Sequence, residues 1–106
     1  MAWIVLLCAG LFEIGWAVCL KYAKGFTVLG PSLGVALFMT ASVYLLGLAL
    51  RTIPLGTGYT VWTGIGAIGT VIAGMLVLGE PVELRRLACV ALILIGIIGL
   101  KLTSAP

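Results

Sequence analysis

A single carboxylate lies within the first apolar segment of the chain. Glu13 is the one charged residue among residues 2–20, where every other position is apolar, small or aromatic. An ionised side chain at mid-span costs about 3 kcal/mol on insertion scales, and such residues usually face a bundle interior or a watery cavity. A carboxyl group can hold a proton or a cation there, but not both, which suits proton-coupled exchange. The alternative, a structural ion pair, lacks a basic partner at mid-depth in any apolar segment.

Small and aromatic residues share the helical face of Glu13. Gly10 precedes it by three residues and would allow a helix or a ligand to approach closely. Trp16 follows it by three residues and would provide an aromatic wall for flat or cationic ligands. Trp16 could instead be an interfacial belt residue, but it lies deeper than Trp3. We therefore expect Gly10 and Trp16 to line a site around Glu13.

A polar and aromatic stripe is predicted on the third apolar segment. Tyr59, Trp62 and Thr63 recur there at helical spacing. The Tyr59 hydroxyl and the Trp62 indole N–H need acceptors when they are buried, and the Glu13 carboxylate is expected to accept from both.

The second apolar segment is expected to complete this site. Met39 and Ser42 lie one helical turn apart on it, and both are predicted to line the site. Ser42 carries the most polar side chain available for the network. Its hydroxyl could instead hydrogen-bond to the backbone of its own helix.

Glycines in the third and fourth apolar segments have mechanical interpretations. Gly64, Gly66 and Gly69 match G-x-G-x-x-G literally, but a dinucleotide fingerprint needs a preceding strand and a following acidic residue, so that reading is rejected. Gly64 and Gly66 are instead hinge candidates, or positions of close packing. Cys89 and Gly96 lie seven residues apart on one face of the fourth segment and are predicted to pack against another copy.

Long uncharged runs determine the fold class. The chain has 106 residues, of which 63% are hydrophobic, with only six basic and three acidic side chains. About 20 helical residues cross a bilayer, and runs without strand-like alternation favour helices over a barrel. We predict an all-α membrane protein that forms a single domain over residues 1–106. Its four transmembrane helices are expected over residues 2–22, 31–50, 56–78 and 84–102.

Several function classes are excluded by this organisation. The first segment lacks the basic start of a signal peptide and contains Glu13, so we expect a retained helix. The three cysteines are interpreted as small apolar packing residues, and the chain has no histidine, so no metal and no cofactor are expected. Without a soluble domain, neither an enzyme nor a nucleic-acid-binding protein is expected, despite the net charge of +3.

The distribution of basic residues leaves the membrane orientation open. Four basic residues lie beside the first and third predicted loops, namely Lys21, Lys24, Arg85 and Arg86. Two others, Arg51 and Lys101, lie on the opposite side, so the positive-inside rule gives only a weak bias. The bias is compatible with one preferred orientation or with copies inserted both ways. Since four short helices leave little room for a cavity, two antiparallel copies would build a symmetric site at the midplane, as inverted repeats do in many transporters.

Three stretches resemble the small multidrug resistance family, and more narrowly its guanidinium-exporter branch. They are AGLFEIGWAVCLKYAKGF, GTGYTVWTGIGAIGTVIAG and LIGIIGLK. The resemblance implies an antiparallel, dual-topology homodimer in the bacterial plasma membrane that exchanges protons for a cation at Glu13. It also implies that Trp16, Ser42, Tyr59 and Trp62 line the site. The family often pairs glycines seven residues apart in its fourth helix, whereas this chain has Cys89 at the first position.

The expected function is proton-coupled export of guanidinium-like cations, with membrane lipid as the surrounding partner. Planar guanidinium carries N–H donors that match a carboxylate bidentately. The alternative within transporters is a multidrug exporter of quaternary ammonium and other hydrophobic cations. A fluoride-type channel is less favoured, because a mid-span carboxylate is a poor choice for passing anions. A non-transporting scaffold is also less favoured, and an absence of transport by the purified protein would support it.

Overall fold

The computed structural model describes residues 1–103, and the last three residues of the predicted domain lie outside this range. It contains four α-helices, each long and apolar enough to cross a membrane. They are α1 (Ala2–Ala23), α2 (Leu29–Ala49), α3 (Leu55–Val77) and α4 (Leu84–Thr103). The predicted four-helix, all-α membrane fold is confirmed.

The turn between α1 and α2 begins with two residues in the left-handed conformation. α1 ends one residue later than predicted, and Lys24 (φ 50°) and Gly25 (φ 70°) follow it. The carbonyl of Ala23 accepts the backbone N–H of both Thr27 and Val28, which closes the turn. α2 then starts at Leu29, so that Pro31 lies in its first turn. A proline is tolerated there because backbone N–H groups in the first turn have no partner within the helix.

The other two connections are equally short. Pro54 directly precedes α3, and its fixed φ of −57° stops α2 from continuing through this joint. After α3, Gly79 adopts φ 70°, a left-handed value that favours glycine. This turn returns the Glu80 backbone N–H to the Gly74 carbonyl. The chain therefore enters the last loop folded back over the end of α3.

α1 is the central helix of the subunit. It packs against both α2 and α3, whereas the backbone of α4 approaches that of α3 alone among the described helices. Six residues form the buried core at the amino-terminal end of α1, namely Leu6, Ala9, Leu46, Ala49, Ile53 and Val61. The subunit measures 44 × 34 × 17 Å, which makes it a thin slab rather than a closed bundle.

Candidate functional site

Glu13 lies halfway along α1, and its carboxyl group rests directly on the backbone of α3. A Cβ atom at Gly66 would overlap Glu13 Oε1, so the absence of a side chain at Gly66 makes room for the carboxylate. Glu13 Oε1 is buried and has no hydrogen-bond partner among residues 1–103. One oxygen of the half-buried carboxyl group is thus enclosed between two helices and has no partner in the described subunit.

Trp16 carries the matching donor one turn further along α1. Its side chain is half-buried, and its indole Nε1 is the second buried polar atom without a partner in the described chain. Buried polar groups in folded proteins almost always have a hydrogen-bond partner. An unsatisfied acceptor and an unsatisfied donor three residues apart on one helix therefore mark a place where a polar ligand or a second subunit would be accommodated.

Ser42 connects three helices next to this place. Its side chain is fully buried, and its Oγ donates to the Ala9 carbonyl oxygen of α1 at 2.6 Å. The same Oγ accepts the Trp62 indole N–H of α3 at 2.9 Å. The hydroxyl can do both because it has one donor and two acceptor positions. The alternative in which Ser42 bonds to its own helix is therefore excluded.

The expected hydrogen bond from Trp62 to Glu13 was wrong. The indole N–H is already used by Ser42, which lies between α1 and α3 at the level of Ala9. Ala9 precedes Glu13 by four residues, about 6 Å along a helix. Trp62 thus positions α2 against α3 in this subunit rather than holding the carboxylate.

Tyr59 and Thr63 face a different part of the subunit from Trp62. Tyr59 is 55% exposed and its ring centroid lies 5.5 Å from that of Trp62. Both Tyr59 and Thr63 line a groove of about 560 Å³ between α3 and α4. Tyr59 donates no hydrogen bond to Glu13 within the described subunit, so a bond between these two residues stays a prediction for a pair of subunits. The three residues of the predicted stripe therefore lie on two faces of α3. Tyr59 and Thr63 face α4, whereas Trp62 faces Ser42 of α2.

The remaining predicted site residues have distinct surroundings. Gly10 is buried where a Cβ would lie 2.5 Å from the Ile65 side chain, so it brings α1 close to α3. Met39 is 39% exposed on α2, one turn before Ser42. Their roles in binding remain predictions.

The hinge and dimer candidates also have defined positions. α3 runs without interruption through Gly64 and Gly66. A Cβ at Gly64 would lie 2.6 Å from the Ile97 side chain of α4, so Gly64 permits close packing here, and a hinge remains a prediction. Cys89 and Gly96 are exposed on α4, and nothing lies within 4 Å of a Cβ built at Gly96. This face is accessible to a second copy.

A cleft between α1 and α3 with charged residues at its outer end was not anticipated from the sequence. It has a volume of about 540 Å³ and opens at the end where the first and third loops lie. Thr70, Lys21 and Glu80 are among its lining residues. The spacing of Gly66, Thr70 and Gly74 at four-residue intervals is the signal that could have revealed it. Among residues 1–103 no group of three potential metal ligands occurs.

Comparisons with known proteins show the family of this chain. Residues 1–93 match the family model described as Small Multidrug Resistance protein. The chain belongs to the small multidrug resistance family. It is a multi-pass protein of the bacterial inner membrane, and the resemblance inferred from its sequence is confirmed.

Relatives with high identity carry one common name. A guanidinium exporter of Yersinia pseudotuberculosis serotype I (strain IP32953) is 55% identical over 104 residues, which cover 98% of this chain and 100% of the relative. Guanidinium exporters of Salmonella typhimurium and of Escherichia coli (strain K12) are 54% and 52% identical, each with 98% of this chain and 99% of the relative covered. These relatives are transporters rather than enzymes.

Proposed function

We propose that this member of the small multidrug resistance family exports guanidinium and substituted guanidinium cations in exchange for protons. The names of relatives that are 52–55% identical support guanidinium as the substrate. The observation that carries the mechanism is the buried, unpartnered oxygen of Glu13, the one acidic residue within the four spans. A carboxylate and a guanidinium ion form paired, charge-assisted hydrogen bonds.

Exchange follows from competition for one carboxylate. When Glu13 releases its proton it can bind a cation, and when the site opens to the other side a proton displaces that cation. Because one group cannot hold both, each transport step carries either a proton or a cation. Alternating access of this kind needs a site that opens to one side of the membrane at a time.

The proposed transporting unit is an antiparallel homodimer that contributes two copies of Glu13. Its support is the exposure of α4, which contains no buried residue, although its mean hydropathy as a span equals that of α1. In lipid, close packing between small residues drives helix association, and Cys89 and Gly96 offer such a face. Two copies would also surround a midplane ligand that a slab 17 Å thick leaves open.

The decisive experiment uses purified protein in proteoliposomes with an imposed proton gradient. Wild-type protein is expected to accumulate guanidinium against its concentration gradient. Glu13→Gln is expected to fold and dimerise but to show no proton-driven accumulation, because the amide neither titrates nor attracts a cation. Coupled accumulation by Glu13→Gln at the wild-type rate would refute the role of this carboxylate.

A broader multidrug exporter is the second candidate, because the description of the matching family names multidrug resistance. Tetrapropylammonium in the same vesicles distinguishes the two functions. It has no N–H donors, so a site that selects by hydrogen bonds is expected to transport it far more slowly than guanidinium. Equal transport of the two cations would favour the broader function.

A further inference from the structure

The cleft between α1 and α3 leads away from Glu13 towards the loops. It begins one turn beyond the place where the carboxylate rests on Gly66, and it is lined on the α3 side by Thr70 and Gly74. Glu80, the first residue after the glycine turn, closes its outer end. The cleft therefore leads from Glu80 to within one helical turn of the Gly66 contact, where the Ile14 side chain packs on Gly69.

The two carboxylates contact α3 in the same way. As Glu13 rests on Gly66, so Glu80 rests on Gly74, where a Cβ would lie 2.5 Å from Glu80 Oε1. The two glycines are eight residues apart, which corresponds to about 12 Å along a helix. Thr70 lies halfway between them and adds a hydroxyl acceptor to the lining. Three oxygen-bearing side chains thus follow one side of α3 from the middle of the membrane to its edge.

Glu80 already has a guanidinium group as its neighbour. Arg86 Nη2 lies 3.6 Å from Glu80 Oε1, and Arg86 Nη1 donates to the Pro81 carbonyl oxygen at 3.0 Å. The Arg86 side chain ends in the chemical group of the proposed substrate. Because both partners are more than a third exposed, this ion pair is weak and open to competition from a free cation.

Charge at the outer end of the cleft gives Glu80 a specific task. Lys21 and Lys24 also line the cleft, and both repel a cation that enters or leaves. Glu80 is the one acidic residue among the lining residues, and Arg86 is the other charged group that faces it. Without the Glu80 carboxylate, only cationic charge would remain at this opening.

We propose that Glu80 is a second cation-binding residue, at which guanidinium is held between the aqueous phase and Glu13. The inference rests on the proposed function. A cation that arrives at Glu80 displaces the Arg86 guanidinium, passes Thr70 and reaches Glu13. Arg86 is the internal competitor that keeps the outer carboxylate occupied until substrate arrives.

The test compares guanidinium uptake by proteoliposomes containing wild-type protein, Glu80→Gln, Arg86→Gln and Glu83→Gln. Glu83→Gln is the matched control, since Glu83 lies in the same loop, is paired with Arg85 at 4.0 Å and does not line the cleft. For Glu80→Gln we expect KM to rise about three- to fivefold, as for the loss of one exposed ion pair, with kcat nearly unchanged.

Arg86→Gln removes the competitor and is expected to lower KM, while Glu83→Gln is expected to retain the wild-type KM. An unchanged KM in either Glu80→Gln or Arg86→Gln would overturn the proposal, and Arg86→Gln decides alone if Glu80→Gln does not fold. Failure of the proposed function has a different signature, either no proton-driven uptake by the wild type or full coupled uptake by Glu13→Gln. An incorrect role for Glu80 would leave both of those results as proposed.

Discussion

Single polar side chains in the spans of this protein fall into two kinds. Ser42 and Trp62 satisfy each other inside the subunit, and Ser42 also reaches the backbone of Ala9. Glu13 and Trp16 each keep one buried polar atom without a partner in the described chain. An unpaired polar atom in apolar surroundings costs free energy, so the first kind stabilises the fold, whereas the second kind belongs to the binding site of the proposed function.

Replacing Ser42 tests whether the hydrogen bonds within the subunit stabilise the fold. Ser42→Ala leaves the Trp62 N–H without its acceptor and is expected to reduce the free energy of unfolding by about 1–2 kcal/mol. Ser32→Ala is the matched control, because Ser32 Oγ is exposed and donates only to the Val28 carbonyl one turn before it in the chain. Thermal unfolding in detergent measures the stability of both variants relative to the wild type.

A double-mutant cycle with Trp62→Phe separates the hydrogen bond from packing effects. The coupling between Ser42→Ala and Trp62→Phe is expected to be about 0.6–1.7 kcal/mol, the range for hydrogen bonds between helices in membranes. Additive effects of the two substitutions would mean that the 2.9 Å bond contributes nothing to stability.

Between elements, the seam of α1 and α3 determines where the carboxylate lies. Gly10 admits Ile65 of α3, and Gly66 admits Glu13 of α1, so each helix provides a glycine for a side chain of the other. This reciprocal arrangement holds the two helices close at mid-membrane. Beyond the contact of Ile14 with Gly69, a cleft between the two helices reaches the loops.

Gly66→Ala is expected to act through Glu13. The added methyl group overlaps the carboxyl group, and overpacking of this kind costs about 1–3 kcal/mol. We expect lower thermal stability and a higher KM for guanidinium. Gly56→Ala is the control on the same helix, because nothing lies within 4 Å of a Cβ at that position.

The shorter side chain of Glu13→Asp in the Gly66→Ala background relieves the overlap and is expected to restore stability, though not transport. If the double variant were no more stable than Gly66→Ala alone, contact with the carboxylate would not be the cause of the loss.

The whole molecule is an incomplete bundle when it stands alone. Its core lies at one end of α1, and α4 contributes no buried residue. The basic residues near its loops favour one membrane orientation only weakly. Both features are compatible with the antiparallel pair of the proposed function.

Charge redesign tests that pair. Arg51→Ser with Thr27→Lys leaves one basic residue opposite five and should fix the first and third loops in the cytoplasm. Lys21→Ser, Lys24→Ser and Arg85→Ser with Thr52→Arg and Thr103→Lys leave one basic residue beside those loops opposite four and should fix them outside. Either variant alone is expected to give little guanidinium resistance in cells, whereas coexpression is expected to restore it. Full resistance from one fixed orientation would contradict an antiparallel dimer. Reporter fusions at the carboxyl terminus verify each orientation.

The hydrophobic pattern of the chain was sufficient to predict the class of fold, and it also singled out Glu13. Four long apolar runs, of which one is interrupted by Glu13 alone, can only be spans, because soluble proteins do not bury so much apolar surface in so short a chain. Glu13 stood out for the same reason, since its charge is costly in such surroundings. Periodicity could place Tyr59, Trp62 and Thr63 within one stripe, but could not say which neighbour each would face.

The hydrogen-bond and packing partners of these side chains depend on the tertiary structure. Trp62 donates to Ser42 rather than to Glu13 because the packing of α2 places the Ser42 hydroxyl within hydrogen-bond distance of the indole N–H. Gly66 was recognisable as a small residue, but its contact with the Glu13 carboxyl depends on the crossing of α1 and α3. Glu80 lies in the last loop, and its contact with Gly74 depends on the left-handed turn at Gly79. Hydrophobic pattern is local to the chain, whereas hydrogen-bond partners and close contacts depend on how separate helices meet.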